Sequence, residues 1–286
     1  MKILLTGRSG QVGRELEHSL APLGQVTATD RGALDLADAD AIRRAVRAAK
    51  PDVIVNAAAY TAVDEAESER DLAHAINATA VGVLAEETKR LGALLVHYST
   101  DYVFDGSKGS PYTEADPTCP INAYGRSKLA GEMAIRSAGC RFLILRTSWV
   151  YAGRGQNFLL TILRKARTAR ALRVVTDQVG VPTSAGLVAR ATAAAVARTV
   201  EAPQLSGLYH VAAKGETSWH GFAQAIVSAA GIDVDIIPIK SSEYPSAARR
   251  PAYSVLASTR FARAFGFDLP GWSANLSDVL RGLPPL

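Results

Sequence analysis

Short apolar runs alternate with longer amphipathic stretches along the first half of the chain. The runs are nearly continuous in apolar character, which is typical of parallel strands covered on both faces. They predict strands at Lys2–Leu5, Gln25–Thr29, Val53–Asn56, Leu94–Tyr98 and Phe142–Leu145, with helices at Gln11–Leu20, Asp38–Lys50, Asp71–Leu91 and Tyr124–Ser137. This alternation predicts an α/β fold built on a Rossmann-type doubly wound parallel sheet.

The pattern loosens after about Trp149. It predicts strands at Arg173–Thr176, Leu208–Val211 and Val234–Ile239, and helices at Phe158–Thr168, Leu187–Val200, Trp219–Ala230 and Thr259–Phe265. We therefore expect a dinucleotide-binding Rossmann domain over residues 1–150. A smaller mixed α/β substrate domain is expected mainly over residues 151–286, with some segments returning to the first domain.

Composition narrows the class of protein. Hydrophobic residues make up 48% of the 286 positions and charged residues 21%, the balance of a folded enzyme rather than a disordered chain. No apolar run approaches the roughly 20 residues that cross a bilayer, and Met1–Thr6 carries no signal-peptide pattern. Two cysteines, Cys119 and Cys140, are too few for a disulfide framework. We expect a soluble, cytoplasmic protein with no membrane partner.

The net charge of +5 comes from scattered basic residues rather than from a block. Such a surface is either simply solvated or attracts anions such as nucleotide phosphates. Nucleic-acid binding would need a clustered basic patch or a known motif, and neither is present in the sequence. We expect no nucleic-acid partner.

A glycine-rich turn follows the first predicted strand. Gly7, Gly10 and Gly13 stand at G-x-x-G-x-x-G spacing directly before a predicted helix. Glycine permits the tight turn and lets backbone N–H groups approach a pyrophosphate at the helix N-terminus, where the dipole favours anions. The spacing departs by one residue from the G-x-G-x-x-G fingerprint, but the position directly after a strand favours a dinucleotide site over a plain turn.

The end of the second predicted strand leaves the choice of cofactor open. The carboxylate of Asp30 can accept hydrogen bonds from an adenosine ribose and would repel a 2′-phosphate, which favours NADH. Arg31, the next residue, could instead bind that phosphate and favour NADPH.

Tyr124 and Lys128 stand four residues apart, on one face of a predicted helix. A free phenol has a pKa of about 10, and a nearby ammonium lowers it, so that tyrosine can exchange protons near neutrality. Alone, the pair also fits a packed tyrosine and a solvated lysine. Thr100, however, follows a predicted strand and should project into the crevice beyond the strand ends. A hydroxyl, a phenol and a glycine turn at one crevice favour catalysis.

These residues resemble the Ser/Thr…Tyr-x-x-x-Lys triad of short-chain dehydrogenases, and the glycine spacing is that of the extended branch. More narrowly, the chain is similar to the dTDP-4-dehydrorhamnose reductase family over nearly its whole length. The similarity is carried by Asn56–Asp64, His97–Phe104, Arg146–Tyr151, Asp177–Gln178, Pro182–Thr183, Gly207–His210 and Ala248–Pro251. The segments from Arg146 onward fall in the substrate half and point to this family within the superfamily.

The resemblance implies NAD(P)H-dependent reduction of the 4-keto group of dTDP-4-dehydro-β-L-rhamnose to dTDP-L-rhamnose, in dTDP-rhamnose biosynthesis. By position, Tyr124 would protonate the developing alkoxide, Lys128 would tune Tyr124 and hold the nicotinamide ribose, and Thr100 would polarise the carbonyl. The resemblance also leaves room for another dTDP-4-keto-6-deoxysugar 4-reductase, or for a non-catalytic regulatory subunit of the same fold. The intact triad argues against the regulatory subunit.

The resemblance also assigns binding residues. Gly10, Gln11 and Val12 would hold the pyrophosphate within the Gly7–Gly13 turn. The remaining cofactor contacts would be Asp30 on the adenosine side, Asp35 and Leu36 beside the adenine, and Ala59, Tyr60 and Thr61 along the dinucleotide path. On the substrate, Thr100 and Asp101 would contact the sugar, Trp149 would pack against it, and Arg249 would meet the diphosphate. A core role for Trp149 and a plain surface role for Arg249 are the alternatives.

Some members of that family bind Mg²⁺ through carboxylates at a dimer interface. Glu15 matches one such ligand, but Gly186 stands where those members carry a carboxylate, and the tail Leu280–Leu286 supplies none. Mg²⁺ needs several oxygen ligands. We therefore expect NADPH or NADH as cofactor, no Mg²⁺, and a monomer or weak homodimer.

Overall fold

A computed structural model describes residues 1–283. The first half forms β1 (Lys2–Thr6), α1 (Gln11–Leu20), β2 (Gln25–Thr29), α2 (Ala39–Ala49), β3 (Val53–Asn56), α3 (Arg70–His74), α4 (Ala80–Leu91), β4 (Leu94–Thr100), α5 (Ala123–Ala138) and β5 (Arg141–Thr147). The second half forms β6 (Val150–Tyr151), α6 (Phe158–Ala166), β7 (Ala171–Val175), β8 (Val179–Gly180), β9 (Thr183–Ser184), α7 (Ala185–Glu201), β10 (Gly207–His210), β11 (Thr217–Ser218), α8 (Trp219–Ala229), β12 (Asp235–Ile239), α9 (Thr259–Phe265) and α10 (Trp272–Arg281).

The central sheet has the strand order β10-β5-β4-β3-β1-β2, and every neighbouring pair is parallel. β1 pairs with β2 on one side and with β3 on the other. Successive strands are therefore added on opposite sides of β1, which makes the carboxyl end of β1 a topological switch point. Ligands of open α/β sheets bind at such a switch point. The predicted α/β Rossmann-type fold is confirmed.

Two predicted strands and two predicted helices have the bounds that the sequence indicated: Gln25–Thr29, Val53–Asn56, Gln11–Leu20 and Thr259–Phe265. The helix predicted over Asp71–Leu91 is helical from Arg70 to Leu91, but a π-helical turn at Ala75–Thr79, which the sequence did not predict, joins α3 to α4. That turn presents the buried Asn77 amide to the backbone of Tyr60, which it meets at 2.9 Å through both its oxygen and its nitrogen. Such single-turn π-bulges inside helices are rare and occur frequently at functional sites.

The glycine turn is tightly packed between β1 and α1. Gly7 has φ +76°, and a Cβ there would lie 2.6 Å from the Ala58 nitrogen. A Cβ on Gly13 would lie 2.0 Å from the Gly7 carbonyl oxygen. Gly7 also accepts a hydrogen bond from the Gly10 nitrogen at 3.0 Å. The glycines therefore let the first turn of α1 rest against the end of β1.

Helix α5 is fastened to β5 by a buried ion pair. The Arg146 guanidinium donates to both carboxylate oxygens of Glu132 at 2.8 and 2.7 Å, and both side chains are almost fully buried. Buried ions need such pairing because desolvation is costly. The pair fixes the position of α5, the helix that carries Tyr124 and Lys128, relative to the sheet.

Segments after residue 150 complete the sheet that the first half begins. β10 pairs with β5 at the edge of the sheet, and α7 packs on α1 within the same apolar core. A separate cluster joins α6, α8 and α10 to the paired strands β7 and β12. The division of the chain at residue 150 stays a prediction. No helix within residues 1–283 is both long and apolar enough to cross a bilayer.

Gly13→Ala is expected to destabilise the protein by about 1–3 kcal/mol, because the new methyl group must displace the Gly7 carbonyl. Urea unfolding measures the loss. Gly82→Ala is the matched control, since a Cβ at Gly82 in α4 meets only the Ala134 methyl at 3.5 Å. Equal stability of the two variants would contradict the packing described for the turn.

Arg146→Met is expected to cost about 3–5 kcal/mol of unfolding free energy, because it leaves the Glu132 carboxylate buried without its partner. The double variant Arg146→Met/Glu132→Leu should recover much of that loss, since it buries no charge at this position. Urea unfolding of both variants tests this. A double variant no more stable than the single one would show that the ion pair is not the source of the loss.

Candidate active site

Helix α5 begins at a firmly held residue. The Asn122 side chain accepts a hydrogen bond from the Gly125 nitrogen at 2.7 Å, which caps the helix, and it donates to the Arg249 carbonyl at 2.8 Å. Along the helix, a Cβ on Gly131 would lie 2.2 Å from the Asn77 carbonyl oxygen. Because Gly131 has no side chain, α5 can pack closely against the π-helical turn that carries Asn77. Lys128, on the same helix, is almost fully buried.

A cleft of about 890 Å³ lies at the carboxyl edge of the central sheet. It is lined by most of the residues that the sequence singled out: Gly7, Gly10, Gln11, Val12, Asp30, Asp35, Leu36, Ala59, Tyr60, Thr61, Thr100, Asp101, Tyr124, Lys128 and Trp149. Two of the expected binding residues are not among its lining residues. Gly13 packs against the turn from within α1, and Arg249 lines a second cavity.

The Tyr124 phenol keeps its proton in this site. Burial raises the pKa of Tyr124 to about 12, a net value that includes a smaller lowering by the nearby Thr100 hydroxyl and a smaller rise from the charge of Asp101. The lowering by Lys128 that we expected is not seen, because desolvation is the largest influence on the phenol. The Tyr124 side chain therefore remains a protonated phenol at neutral pH and can act as a proton donor.

The Lys128 amine is buried and faces a histidine that we had not singled out. Its Nζ lies 3.2 Å from Nε2 of His97, on β4. Burial lowers the pKa of Lys128 to about 7, although the charge of Glu132 raises it. Burial also holds the pKa of His97 well below its usual range, and the charge of Lys128 lowers it further. His97 is neutral, and Lys128 changes charge near neutrality.

Asp101 is the second unusual carboxyl of the site. It is almost fully buried, and burial raises its pKa to about 7. One oxygen accepts a hydrogen bond from the Thr100 hydroxyl at 3.1 Å. The other oxygen makes no well-aligned hydrogen bond among residues 1–283, although the nearby Ser254 hydroxyl offsets part of the rise in the pKa of Asp101. A buried carboxyl oxygen at the wall of a cleft can bind a hydroxyl group of a ligand.

The adenosine end of the cleft has its own carboxylate. One oxygen of Asp30 accepts hydrogen bonds from the backbone nitrogens of Gly32 and Ala33, both at 3.1 Å, and Arg31 beside it is exposed. Leu34 and Leu36 bury their side chains below it. With the glycine turn at the start of α1, this set fits a dinucleotide, because it offers N–H groups for phosphates and an acceptor for a ribose.

Two stacked tryptophans stand between the cleft and a second cavity. Trp149 lines the cleft and stacks on Trp219 with ring centroids 3.5 Å apart and planes within 4°. Trp219 lines the second cavity, whose volume is about 650 Å³ and whose wall includes Phe158, Arg249 and Arg250. Trp149 has φ +45°, a left-handed conformation that is strained for an aromatic residue.

An ion pair that sequence reasoning missed positions the Arg249 segment. Arg250 donates to both oxygens of Asp64 at 3.1 and 2.7 Å, and Asp64 also accepts from the Ala248 nitrogen at 2.9 Å. The two charges are 186 residues apart in the chain, so no local pattern links them. Both lie in segments that carried the family resemblance, which was the available signal.

Glu15, the candidate metal ligand, is paired with Arg154 through a short contact. Within residues 1–283, no group of three histidine, cysteine or carboxylate side chains could hold a metal ion. Gly186 lies next to Glu15, where a built Cβ would be 3.7 Å from its carboxylate. The part of the tail from residue 284 onward lies outside the described residues.

The comparisons with known proteins agree with this geometry. The family described as RmlD substrate binding domain matches residues 1–283. A dTDP-4-dehydrorhamnose reductase of Burkholderia thailandensis is 53% identical, and the match covers 99% of each chain. The enzyme of that name from Salmonella typhimurium is 45% identical over 98% of this chain and 97% of its own.

Solved structures give the same result. A dTDP-4-dehydrorhamnose reductase from Clostridium acetobutylicum superimposes with a TM-score of 0.92 at 39% identity, covering 98% of this chain and 99% of that one. The Bacillus anthracis enzyme of that name, in complex with NADP, has a TM-score of 0.91 at 35% identity and the same coverage. The chain therefore belongs to the RmlD substrate binding domain family and is a relative of these dTDP-4-dehydrorhamnose reductases over nearly its whole length.

Proposed function

We propose that the protein reduces the 4-keto group of dTDP-4-dehydro-β-L-rhamnose to dTDP-L-rhamnose, with NADPH or NADH as hydride donor. The observation that carries the proposal is the meeting of Thr100, Asp101, Tyr124 and Lys128 in the same cleft as the glycine turn. A hydride donor, a proton donor and a polar wall are what reduction of a ketone requires.

The cofactor would lie along the floor of the cleft. The backbone at Gly10, Gln11 and Val12 would bind its pyrophosphate, and Asp30 would face its ribose. When bound, the nicotinamide supplies the hydride. Ala59, Tyr60 and Thr61 would line the path between the two ends, and Lys128 would face the nicotinamide ribose.

Tyr124 would deliver the proton. A phenol that burial keeps protonated can donate to an alkoxide as the alkoxide forms, because the alkoxide is far more basic than the phenolate left behind. Thr100 would hold the ketone oxygen, since its hydroxyl lies at the end of β4 beside Asp101. Asp101, one oxygen of which makes no well-aligned hydrogen bond within residues 1–283, would contact a sugar hydroxyl.

The substrate is long enough to use both cavities. We place the sugar in the cleft and the nucleotide in the second cavity, where Arg249 would offer its charge to the diphosphate and Arg250, paired with Asp64, would hold the segment in place. Trp149 would pack against the sugar at the boundary between the two. This placement also accounts for the position of Arg249 away from the cleft lining.

Cellular location and assembly belong to the same proposal. Cys119 and Cys140 are both free thiols, which is typical of a reducing compartment and supports a cytoplasmic location. Glu15 is neutralised by Arg154 within one chain, and Gly186 supplies no carboxylate. These contacts support a monomer or weak homodimer without bound Mg²⁺.

Incubation of the enzyme with dTDP-4-keto-6-deoxyglucose, the 3,5-epimerase and NADPH tests the proposed reaction. We expect dTDP-L-rhamnose, identified by NMR of the isolated product. A sugar with the opposite configuration at carbon 4 would assign the protein to another dTDP-4-keto-6-deoxysugar 4-reductase.

Tyr124→Phe is expected to lower kcat by about 10²–10⁴-fold, because the ring remains but the proton donor is lost. NADPH affinity, measured by fluorescence titration, should be almost unchanged. Tyr209→Phe is the control, since it also removes a buried phenol hydroxyl, one that donates to the Leu205 carbonyl at 2.9 Å. A loss of kcat of less than about tenfold in the Tyr124 variant, with the fold intact, would show that Tyr124 is not the proton donor.

Asp30→Asn is expected to raise the ratio of kcat/KM for NADPH to that for NADH by about fivefold or more, because it removes a charge that repels a 2′-phosphate. Asparagine keeps the oxygen that accepts from Gly32 and Ala33, so the turn is preserved. Asp38→Asn is the control, because Asp38 caps α2 in the same way but does not line the cleft. An unchanged ratio in the Asp30 variant would place its carboxylate away from the ribose.

A further inference from the structure

A line of buried polar side chains runs behind Lys128 and across three strands of the sheet. Lys128 Nζ lies 3.2 Å from Nε2 of His97, on β4. Nδ1 of the same ring lies 3.2 Å from the Asn56 amide nitrogen, on β3. The Asn56 amide oxygen accepts from the Thr6 hydroxyl, on β1, at 2.6 Å. All four side chains are at most 2% exposed, so no water replaces a lost partner.

The charged groups around this line are few. Glu132, one turn along α5 from Lys128, is held by Arg146 of β5. Tyr124 lies on the same helix as Lys128, with Asp101 facing it from the end of β4. The charge of Lys128 in turn acts on His97. His97 is the hydrogen-bond partner of the Lys128 nitrogen among residues 1–283.

The orientation of Asn56 dictates which nitrogen of His97 carries the proton. When the Asn56 amide nitrogen faces Nδ1, it donates, so Nδ1 must be the bare nitrogen and Nε2 must carry hydrogen. Nε2 then points a donor at Lys128. An ammonium has three donors and no acceptor, whereas a neutral amine has a lone pair. This arrangement fits only the amine form of Lys128.

A rotation of the Asn56 amide by about 180° reverses the direction of every hydrogen bond along this line. Its oxygen then accepts from Nδ1–H, its nitrogen donates to the Thr6 hydroxyl oxygen, and Nε2 of His97 becomes the acceptor. Lys128 can now donate to Nε2 as an ammonium, in a charge-assisted hydrogen bond that is stronger than a neutral one. The two orientations of one buried amide thus correspond to two charge states of Lys128.

We propose that His97 is a positioning residue for Lys128 and that Asn56, by fixing the tautomer of His97, sets whether Lys128 is held as the ammonium or as the amine. This inference rests on the proposed function only for its consequence in turnover. In the proposed reaction, an ammonium one helical turn from Tyr124 would stabilise the phenolate left when the phenol gives its proton to the substrate, even though burial is the larger influence on the phenol before substrate binds. An amine gives no such help, so the rate should follow the ammonium form.

Heteronuclear NMR of lysine labelled at the side-chain carbon next to the amine tests the proposal in the protein without added ligand. The chain has eight lysines, and Lys128→Met assigns the signal of interest. Burial lowers the pKa of Lys128 to about 7, well below the roughly 10.4 of a free lysine side chain, so its signal should titrate near neutrality.

His97→Phe should move this titration to lower pH by about one unit or more, because the buried ammonium loses its only neutral acceptor. His97→Gln should leave it near the wild-type position, since the glutamine amide can present an oxygen to Lys128. Asn56→Asp should move it to higher pH, because a carboxylate only accepts and holds His97 in the tautomer that accepts from the ammonium.

His210→Phe is the control for loss of a buried neutral imidazole. His210 is fully buried on β10 and faces the Tyr112 carbonyl at 3.1 Å, without contact to Lys128. It should lower stability and leave the Lys128 titration in place. If His97→Phe does not fold, Asn56→Asp is compared with Asn56→Asp/His97→Gln: the buried carboxylate raises the Lys128 titration by its charge in both, and only the additional rise with His97 present reports the tautomer. A Lys128 titration that is unchanged in His97→Phe, or one that Asn56→Asp does not raise, overturns the proposal.

The pH profile of kcat separates this inference from the proposed function. The limb on which kcat falls with rising pH should move with the NMR titration in each variant, down in His97→Phe and up in Asn56→Asp. If Tyr124→Phe abolishes turnover while these limbs stay fixed, only the role of His97 is wrong. If Tyr124→Phe stays active, the assignment of the catalytic proton donor fails, whatever the Lys128 titration shows.

Discussion

The close packing of α5 against the π-helical turn and the sheet is the constraint on which the site depends. Gly131 lets α5 approach the Asn77 carbonyl in that turn, and the buried ion pair of Glu132 with Arg146 holds α5 to β5. The approach takes Lys128 and Tyr124 out of water together. Desolvation favours the neutral form of each, which is the phenol for one and the amine for the other. The protonation states of Tyr124 and Lys128 therefore depend on how closely α5 packs against its neighbours.

Much of the fold could be predicted because its signals are local. β3 is a short apolar run, β2 is rich in the β-branched residues valine and threonine, and both strands have the bounds that the sequence predicts. The glycine turn was predictable because it follows a strand directly and precedes a helix. Tyr124 and Lys128 could be paired because helical spacing places them on one face. In each case, neighbours in sequence determine the feature.

The features that the sequence did not predict depend on contacts between residues that are far apart in the chain. Thr6, Asn56 and His97 meet because three parallel strands place them in register, and nothing near any of them signals this. The pairing of Asp64 with Arg250 spans both halves of the chain. The direction of the Tyr124 pKa shift was also missed, because burial depends on the tertiary packing rather than on the spacing of a motif.

The central sheet is completed at one edge by β10, a strand that is synthesised late. During synthesis, β1 to β5 leave the ribosome well before β10, the edge partner of β5, and before α7, which covers α1. Until then, β5 offers unpaired backbone groups and α1 an uncovered apolar face, and both favour aggregation. A fragment ending near residue 150 would be an incomplete folding unit. The nascent chain therefore completes its sheet only when the chain has emerged as far as β10, which ends at His210.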